Sequence, residues 1–365
     1  MPMMQLVLQD GTVLRGRSFG ADRAVAGEVV FSTGMTGYVE SLTDPSYRGE
    51  ILTLTYPLQG NYGVPAARDR DLLRDGFESG RIQAQALVVQ RHSDVPSHHA
   101  ATRSLGDWLK ECGVPAIEGI DTRALTRKLR EHGTMAGWLL PDGVPIEEAK
   151  KSAEAVDMKT ATGDVCVQEP VTYRAGSLKV LLVDTGAKDS LVRGLHSRGA
   201  TVLRVPASAR LSDFIRDVDG VLLGNGPGDP KDNPELIEQI RSVLFPSGKP
   251  LFGVCLGNQL LALAAGGDTT KLKYGHRSHN QPVQDLLTRR CYVTSQNHGY
   301  VVRDESLPDD WEPWFVNVND GSNEGIFCRS KPWSSVQFHP EAAPGPEDAS
   351  FLFDDFLRRV GSSRV

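Results

Sequence analysis

Cysteine is scarce in this chain. The 365 residues hold five, at 112, 166, 255, 291 and 328, odd in number and never paired as C-x-x-C. Thiols so scattered argue against a disulfide framework and a thiolate zinc site, and make the reducing cytoplasm the expected location. Basic charge is not in excess either: 46 acidic residues outweigh 40 basic ones for a net charge of −6. That excludes the basic stripe of a nucleic-acid binder. Apolar runs stay near the six residues of Leu260–Ala265, far below the roughly 20 needed to span a bilayer. The opening Met1–Asp10 has neither a basic region nor an apolar core, so no signal peptide is expected. No repeat or low-complexity segment stands out. What is present is a globular composition, 39% apolar and 24% charged, with 37 glycines and 22 prolines that fit an enzyme rich in ordered loops. The length suggests two domains, or three, each able to bury its own core.

The two halves have different rhythms. From Met4 to about Gly143 the chain reads as strands and turns. Gln5–Leu8, Thr12–Arg15, Val29–Ser32, Ile51–Thr55 and Gln85–Val89 are the strand candidates, and Asp10-Gly11 is a hairpin signal. Helices are expected at Arg103–Cys112 and Asp121–His132, the latter with an Asp121-Thr122 cap and a Gly133 stop. Residues 146–177 read as a helix followed by a crossing linker. After Leu178 strands and helices alternate. The apolar run Lys179–Asp184 suits a strand buried on both faces. Thr201–Val205, Gly220–Leu223 and Leu251–Val254 follow, with helices expected at Ser190–Arg198, Leu211–Asp217, Pro234–Leu244 and Gln259–Ala265. Strands at Cys291–Ser295, Trp314–Asn319 and Ser335–Phe338 and a helix at Asp348–Arg359 complete the pattern. The fold class expected is α/β: a carboxyl-terminal, doubly wound, mostly parallel sheet over 178–365, preceded by a strand-rich α+β domain over 1–145. In such sheets ligands sit beyond the carboxyl ends of the strands, which is where the chemistry is sought.

Gly253-Val-Cys255-Leu-Gly257 falls at a strand-to-helix junction. It has the grammar of a nucleophile elbow, with sulfur in place of oxygen. Small residues are needed there because the turn is sharp, and the helix amino terminus favours negative charge on the sulfur. Taken alone, Cys255 reads equally as a buried apolar cysteine. Val336-Gln-Phe-His339-Pro-Glu341 then places a histidine just past a strand, with a carboxylate two positions on. Taken alone, that pair reads equally as a surface turn. Both fragments falling at strand ends of one sheet favours a triad, with Cys255 as nucleophile, His339 as base and Glu341 as orienter. Gly224-Asn-Gly226-Pro-Gly228-Asp-Pro230 follows another buried strand. It lacks the Lys-Ser/Thr of a phosphate loop, and Asp229 would repel an anion. The better reading is a backbone surface that holds an oxyanion together with the Leu256 N–H.

Gly253–Gln259 with His339–Glu341 resembles the triad family of class I glutamine amidotransferases. Thr36–Tyr47, Thr55–Gly63, Gly119–Thr126 and Ser295–Tyr300 are similar to the small chain of glutamine-hydrolysing carbamoyl-phosphate synthase. The resemblance implies a pocket for L-glutamine. Ser46 would reach it from the amino domain, Gly226 and Gly228 would line the oxyanion side, and Leu256 and Gln259 would follow the nucleophile. Asn297, Gly299 and Tyr300 would hold the amino-acid end. It also implies a large partner chain that makes carbamoyl phosphate from bicarbonate and ATP for arginine and pyrimidine synthesis, paired as a heterodimer that can build higher oligomers. ATP and a divalent metal belong to that large chain. No cofactor is expected on this one, nor any nucleic-acid or membrane partner. The amino domain, with no chemistry of its own, reads as the docking surface.

Two positions depart from the family pattern. Asn258 stands where His is usual, which alters only pocket polarity. Thr185–Ser190 also strays, with consequences expected only for local loop structure. His276 and His279 suggest metal ligands, but no acidic or thiol partner is spaced to complete a site. His98-His99 reads as a solvated loop and His298 as a hydrogen-bonding residue. The rival readings are an amidotransferase subunit of another synthase, which would not need the first 150 residues, and a non-catalytic regulatory subunit, which would not need the triad.

Overall fold

A computed structural model describes residues 2–70 and 73–363. The chain divides into two compact units, the first running to Asp157 and the second beginning at Met158.

The first unit is built on a closed barrel. Around it run Met3–Leu8, Met135–Pro141, Val25–Ser32, Glu50–Leu54, Ala86–Val88, Ala116–Glu118 and Val13–Ser18, which pairs back onto Met3–Leu8. Closure leaves no free sheet edge. The Asp10-Gly11 turn starts it: Asp10 accepts the Thr12 N–H at 3.0 Å, and Gly11 takes the φ of 86° that the turn requires. The helix Thr122–His132 is capped by Asp121, which accepts from the Ala124 N–H at 2.9 Å, and it ends at Gly133. Ile146–Ser152, in the stretch read as a helix followed by a linker, is helical and buries Ala149 against Val7 and Leu140. Leu52, Leu87, Val30 and Trp108 lie in the unit's main core.

The second unit holds a ten-stranded sheet. Its parallel centre runs Thr201–Pro206, Lys179–Asp184, Gly220–Leu223, Leu251–Val254, Trp333–Val336. Val171–Tyr173 extends one edge antiparallel, and Asn323–Cys328, Trp311–Asn317, Thr269–Asp285 and Cys291–Val302 extend the other. Strand alternation explains the continuous apolar text. Val180 and Leu182 join a core with Leu191, Leu195 and Phe353 on one face, while Leu181 and Val183 join Leu256 and Leu260 on the other. Strand order reverses between Lys179–Asp184 and Gly220–Leu223, so the loops after Asp184 and Leu223 diverge at a switch point, the usual place for a ligand crevice.

Some elements differ from expectation. Residues 211–217 form two 3-10 turns, Leu211–Asp213 and Ile215–Asp217, because one short segment with two buried anchors does not repay helix nucleation. The Pro234 helix passes into a π turn at Ile240–Leu244. Thr269–Asp285 is a long strand not anticipated, and its partner extends from Cys291 to Val302. Among the described residues no helix is long and apolar enough to cross a membrane.

Candidate active site

Cys255 sits between the Leu251–Val254 strand and the Leu256–Ala265 helix at φ 54°, ψ −104°. A non-glycine residue held there costs of order 1–3 kcal/mol and persists only where its surroundings over-determine it. They do: its N–H donates to the Val336 carbonyl at 2.8 Å, and its own carbonyl accepts from the Asn258 and Gln259 N–H groups. A Cβ at Gly253 would lie 2.6 Å from the Gly257 carbonyl oxygen, and one at Gly257 would lie 2.3 Å from that of Leu223. Both positions must be glycine for the turn to be this tight. The thiol is 2% exposed and directs its proton toward the Asn297 carbonyl at 3.7 Å. Leu256 heads the helix, so its N–H has no intrahelical acceptor.

His339 follows the neighbouring strand, Trp333–Val336, and its N–H donates to the Ser295 carbonyl at 2.9 Å. Its Nδ1 donates to Glu341 Oε1 at 2.5 Å. The Glu341 side chain is fully buried, and as a carboxylate it accepts from Nδ1 and leaves Nε2 for the reaction. Nε2 has no hydrogen-bond partner among the described residues. Burial, the largest effect, and Lys188 work against charge on the ring, but Glu341 and the Cys255 thiol together more than offset them and hold the His339 pKa well above the usual histidine range. Glu341 is likewise disfavoured as an anion by burial, yet Lys188 and then His339 hold its carboxyl below the usual range.

Lys188, which the sequence reading did not single out, lies against this pair. It is 2% exposed, its Nζ lies 3.2 Å from Glu341 Oε1, and it donates to the Ala342 carbonyl at 2.5 Å. Its backbone N–H donates to Asn225 Oδ1 at 2.9 Å, and Thr185 Oγ1 donates to the Gly224 and Asn225 carbonyls. The loops diverging at the switch point are thereby tied together. The signal was a lysine just past the carboxyl end of a doubly buried strand.

The predicted pocket residues fall as follows. Gly226 packs on Leu256: a Cβ there would meet the Leu256 side chain at 2.9 Å and the Thr185 carbonyl oxygen at 2.0 Å. Gly228 lies against Met158. Asn297, Gly299 and Tyr300 lie on the Cys291–Val302 strand, and the Asn297 carbonyl faces the thiol. The Gln259 side chain donates to the Tyr300 carbonyl at 2.9 Å and to Gln337 Oε1 at 3.1 Å, so it ties its helix to two neighbouring segments. Ser46 lies in the first unit, in the Pro45–Tyr47 turn, where Asp44 accepts its N–H. Asn258 is fully buried and turned onto the His339 strand, donating to Gln337 Oε1 and accepting from Ser335 Oγ. It therefore links the Leu256–Ala265 helix to the Trp333–Val336 strand.

His276 does have acidic partners, contributed by other parts of the chain. Its Nε2 meets Asp320 at 2.8 Å, and its Nδ1 lies 3.5 Å from Glu324. His276, His298 and Glu324 each offer one potential metal-ligating atom within 4.8 Å of the others. Both ring nitrogens of His298 face hydrogen-bond acceptors, however: the Tyr300 carbonyl at 2.8 Å and Gln296 Oε1 at 3.0 Å. His98 and His99 are exposed, with their rings 4.2 Å apart.

Comparison with known proteins covers both units. Residues 6–139 match the model of the carbamoyl-phosphate synthase small chain, CPSase domain, and residues 181–359 match that of glutamine amidotransferase class-I. The carbamoyl phosphate synthase small chain of Symbiobacterium thermophilum is 47% identical over 98% of this chain and 99% of its own length. The arginine-specific small chain of Yarrowia lipolytica is 46% identical over 98% of this chain and 82% of its own. Multifunctional protein CAD of Squalus acanthias is 48% identical over 97% of this chain, which spans only 16% of that protein. A relative of equal extent and nearly half identical, with both family models matched in order, shows that this chain belongs to the carbamoyl-phosphate synthase small-chain family.

Proposed function

We propose that this chain is the glutaminase subunit of a carbamoyl-phosphate synthase, hydrolysing the side-chain amide of L-glutamine through Cys255, His339 and Glu341. The observation that carries the reading is the buried His339–Glu341 pair, with Nε2 unpartnered and the Cys255 thiol beside it. His339 Nε2 holds the proton drawn from the thiol, the charged ring that Glu341 favours, and the sulfur attacks the amide carbon. The Leu256 N–H and the Gly226 side of the glycine loop receive the oxyanion, each donor contributing about 2.7–4 kcal/mol in the transition state. The imidazolium, stabilised by Glu341, then protonates the leaving nitrogen, and ammonia departs from a thioester. Water, deprotonated by the same ring, releases glutamate and restores the thiol.

On this reading the ammonia passes to a large chain that carries ATP and the divalent metal and makes carbamoyl phosphate from bicarbonate, in the cytoplasm, for arginine and pyrimidine synthesis. This chain needs no cofactor of its own. The first unit is the docking surface for that large chain. A stable junction of this kind buries about 1,200–2,000 Å² or more. The match over residues 6–139 favours this reading over an amidotransferase serving another synthase. The test is glutamate release from L-glutamine by the full chain, with and without a large chain. Release that rises on adding the large chain is expected, and no release in either condition would overturn the reading.

A further inference from the structure

Asp189, in the loop 185–190 that carries Lys188, pairs with a buried arginine. Arg204, on the buried strand Thr201–Pro206, is 6% exposed. Its Nε donates to Asp184 Oδ2 at 2.7 Å, its Nη1 to Asp189 Oδ1 at 3.0 Å, and its Nη2 to the Ala187 carbonyl at 2.8 Å. The other oxygen of Asp184 accepts the Gly186 and Ala187 N–H groups at 2.8 and 2.7 Å. One rigid, planar guanidinium thus grips the residues on both sides of Lys188 and the strand end before it.

We infer that Arg204 is a positioning residue for glutamine hydrolysis: by binding Asp184, Ala187 and Asp189 together, it fixes the loop that holds Lys188 against Glu341. The inference rests on the triad reading above. Without the guanidinium, two buried carboxylates would flank the loop with no cation between them, and like charges so placed repel. The nearest cation in sequence is Lys188, which would be drawn away from Glu341. Arg204 touches neither thiol nor imidazole, so its effect on the reaction runs through Lys188. The titratable and charged groups around His339 are Glu341, Lys188, Cys255 and His298, and those around Arg204 are Asp184, Asp189, Tyr173 and Cys166.

A guanidinium that merely stabilised the fold would change the melting temperature and leave folded enzyme turning over normally. The test therefore compares Arg204→Met, Lys188→Met, the double variant and Asp189→Asn in the full chain with its large chain, well below their melting temperatures. Glutaminase kcat, glutamine KM and the pH profile are measured. Arg204→Met and Lys188→Met should each lower kcat by roughly 10–100-fold, the scale of a misplacement near 1 Å. The double variant should be no worse than Lys188→Met. Lys188 pushes the His339 ring toward neutrality, so in all three the upper limb of the profile should move to higher pH. Asp189→Asn, which leaves Asp184 on Arg204, should shift it the same way by less. A folded Arg204→Met with wild-type kcat and profile, or losses that multiply in the double variant, would overturn the inference. If Arg204→Met does not fold, an unshifted profile in Asp189→Asn overturns it. A wild-type chain that releases no glutamate overturns the triad reading and this inference with it, whereas an active wild type with multiplying losses overturns this inference alone.

Discussion

Replacing Lys188 by methionine removes the ammonium from a site where both partners of an ion pair are buried. The Lys188 side chain is 2% exposed, and that of Glu341, 3.2 Å away, is fully buried. At that distance and an effective dielectric of 20, the gross attraction is about 5 kcal/mol. Deleting one member of a buried pair costs about 3–5 kcal/mol, because the remaining charge stays out of water. His339 still faces Glu341, so the lower end applies, and the Ala342 carbonyl also loses its donor. For a folding unit of 150–250 residues, about 3 kcal/mol lowers the melting temperature by about 6–12 °C. The pH dependence is a second, independent signature. The Glu341 pKa is depressed in the folded chain, so its contribution is fully present above the ordinary carboxylate pKa and is lost as pH falls toward the depressed value. The stability gap between wild type and Lys188→Met should therefore be widest above pH 5 and narrow on acidification below it. Calorimetry of both proteins from pH 3 to 8 reads this directly. A gap below about 1 kcal/mol at pH 7, or one that stays constant on acidification, would refute the assignment of Lys188 as the counter-charge of Glu341.

Other perturbations separate the remaining parts of the account. Gly257→Ala places a Cβ 2.3 Å from the Leu223 carbonyl oxygen, so the elbow must open. Glutaminase kcat should fall by about 100-fold with a stability cost of about 1–3 kcal/mol, and near-normal turnover would contradict the tight-turn argument. Glu341→Gln should lower kcat less than His339→Asn, since the first orients and the second carries the proton; the reverse order in steady-state kinetics would exchange their roles. Burial pushes the His276 pKa down, but Glu324 and Asp320 raise it overall. Its stabilising contribution is thus present below the ordinary histidine pKa and lost as pH rises through the raised value. Glu324→Gln should cost about 1–3 kcal/mol in urea unfolding at pH 6 and less at pH 9, and equal costs at both would exclude a charged His276.

Legibility in the sequence followed whether the determining chemistry was local. The Asp121 cap, the Gly133 stop, the Asp10-Gly11 turn and the elbow glycines each act on backbone within a few residues, and each could be read in place. The doubly buried strands were legible from their unbroken apolar text. Thr269–Asp285 was not, because its pairing with Cys291–Val302 slips between Lys271 and His276 and again between Ser278 and Gln281, so no alternation of period two survives. The acidic partners of His276 were missed because Glu324 arrives from another strand. Lys188 was missed for a related reason: a lysine in a glycine-bearing loop carries no sign of burial, and Glu341, which makes its burial tolerable, is distant in sequence. Arg204 shows the same effect within a strand, where only the folded loop brings Asp184 and Asp189 to it.

The central claim, that Cys255 serves amide hydrolysis and nothing else, is tested most directly by carbamoyl phosphate formation in a complex of this chain with a large chain. Cys255→Ser is assayed once with L-glutamine and once with added ammonia as the nitrogen source. Loss of the nucleophile in a comparable triad lowers turnover by roughly 10⁶, so glutamine-dependent synthesis should vanish while ammonia-dependent synthesis stays at the wild-type rate. Equal loss of both activities, or glutamine-dependent synthesis that survives the substitution, would contradict the account.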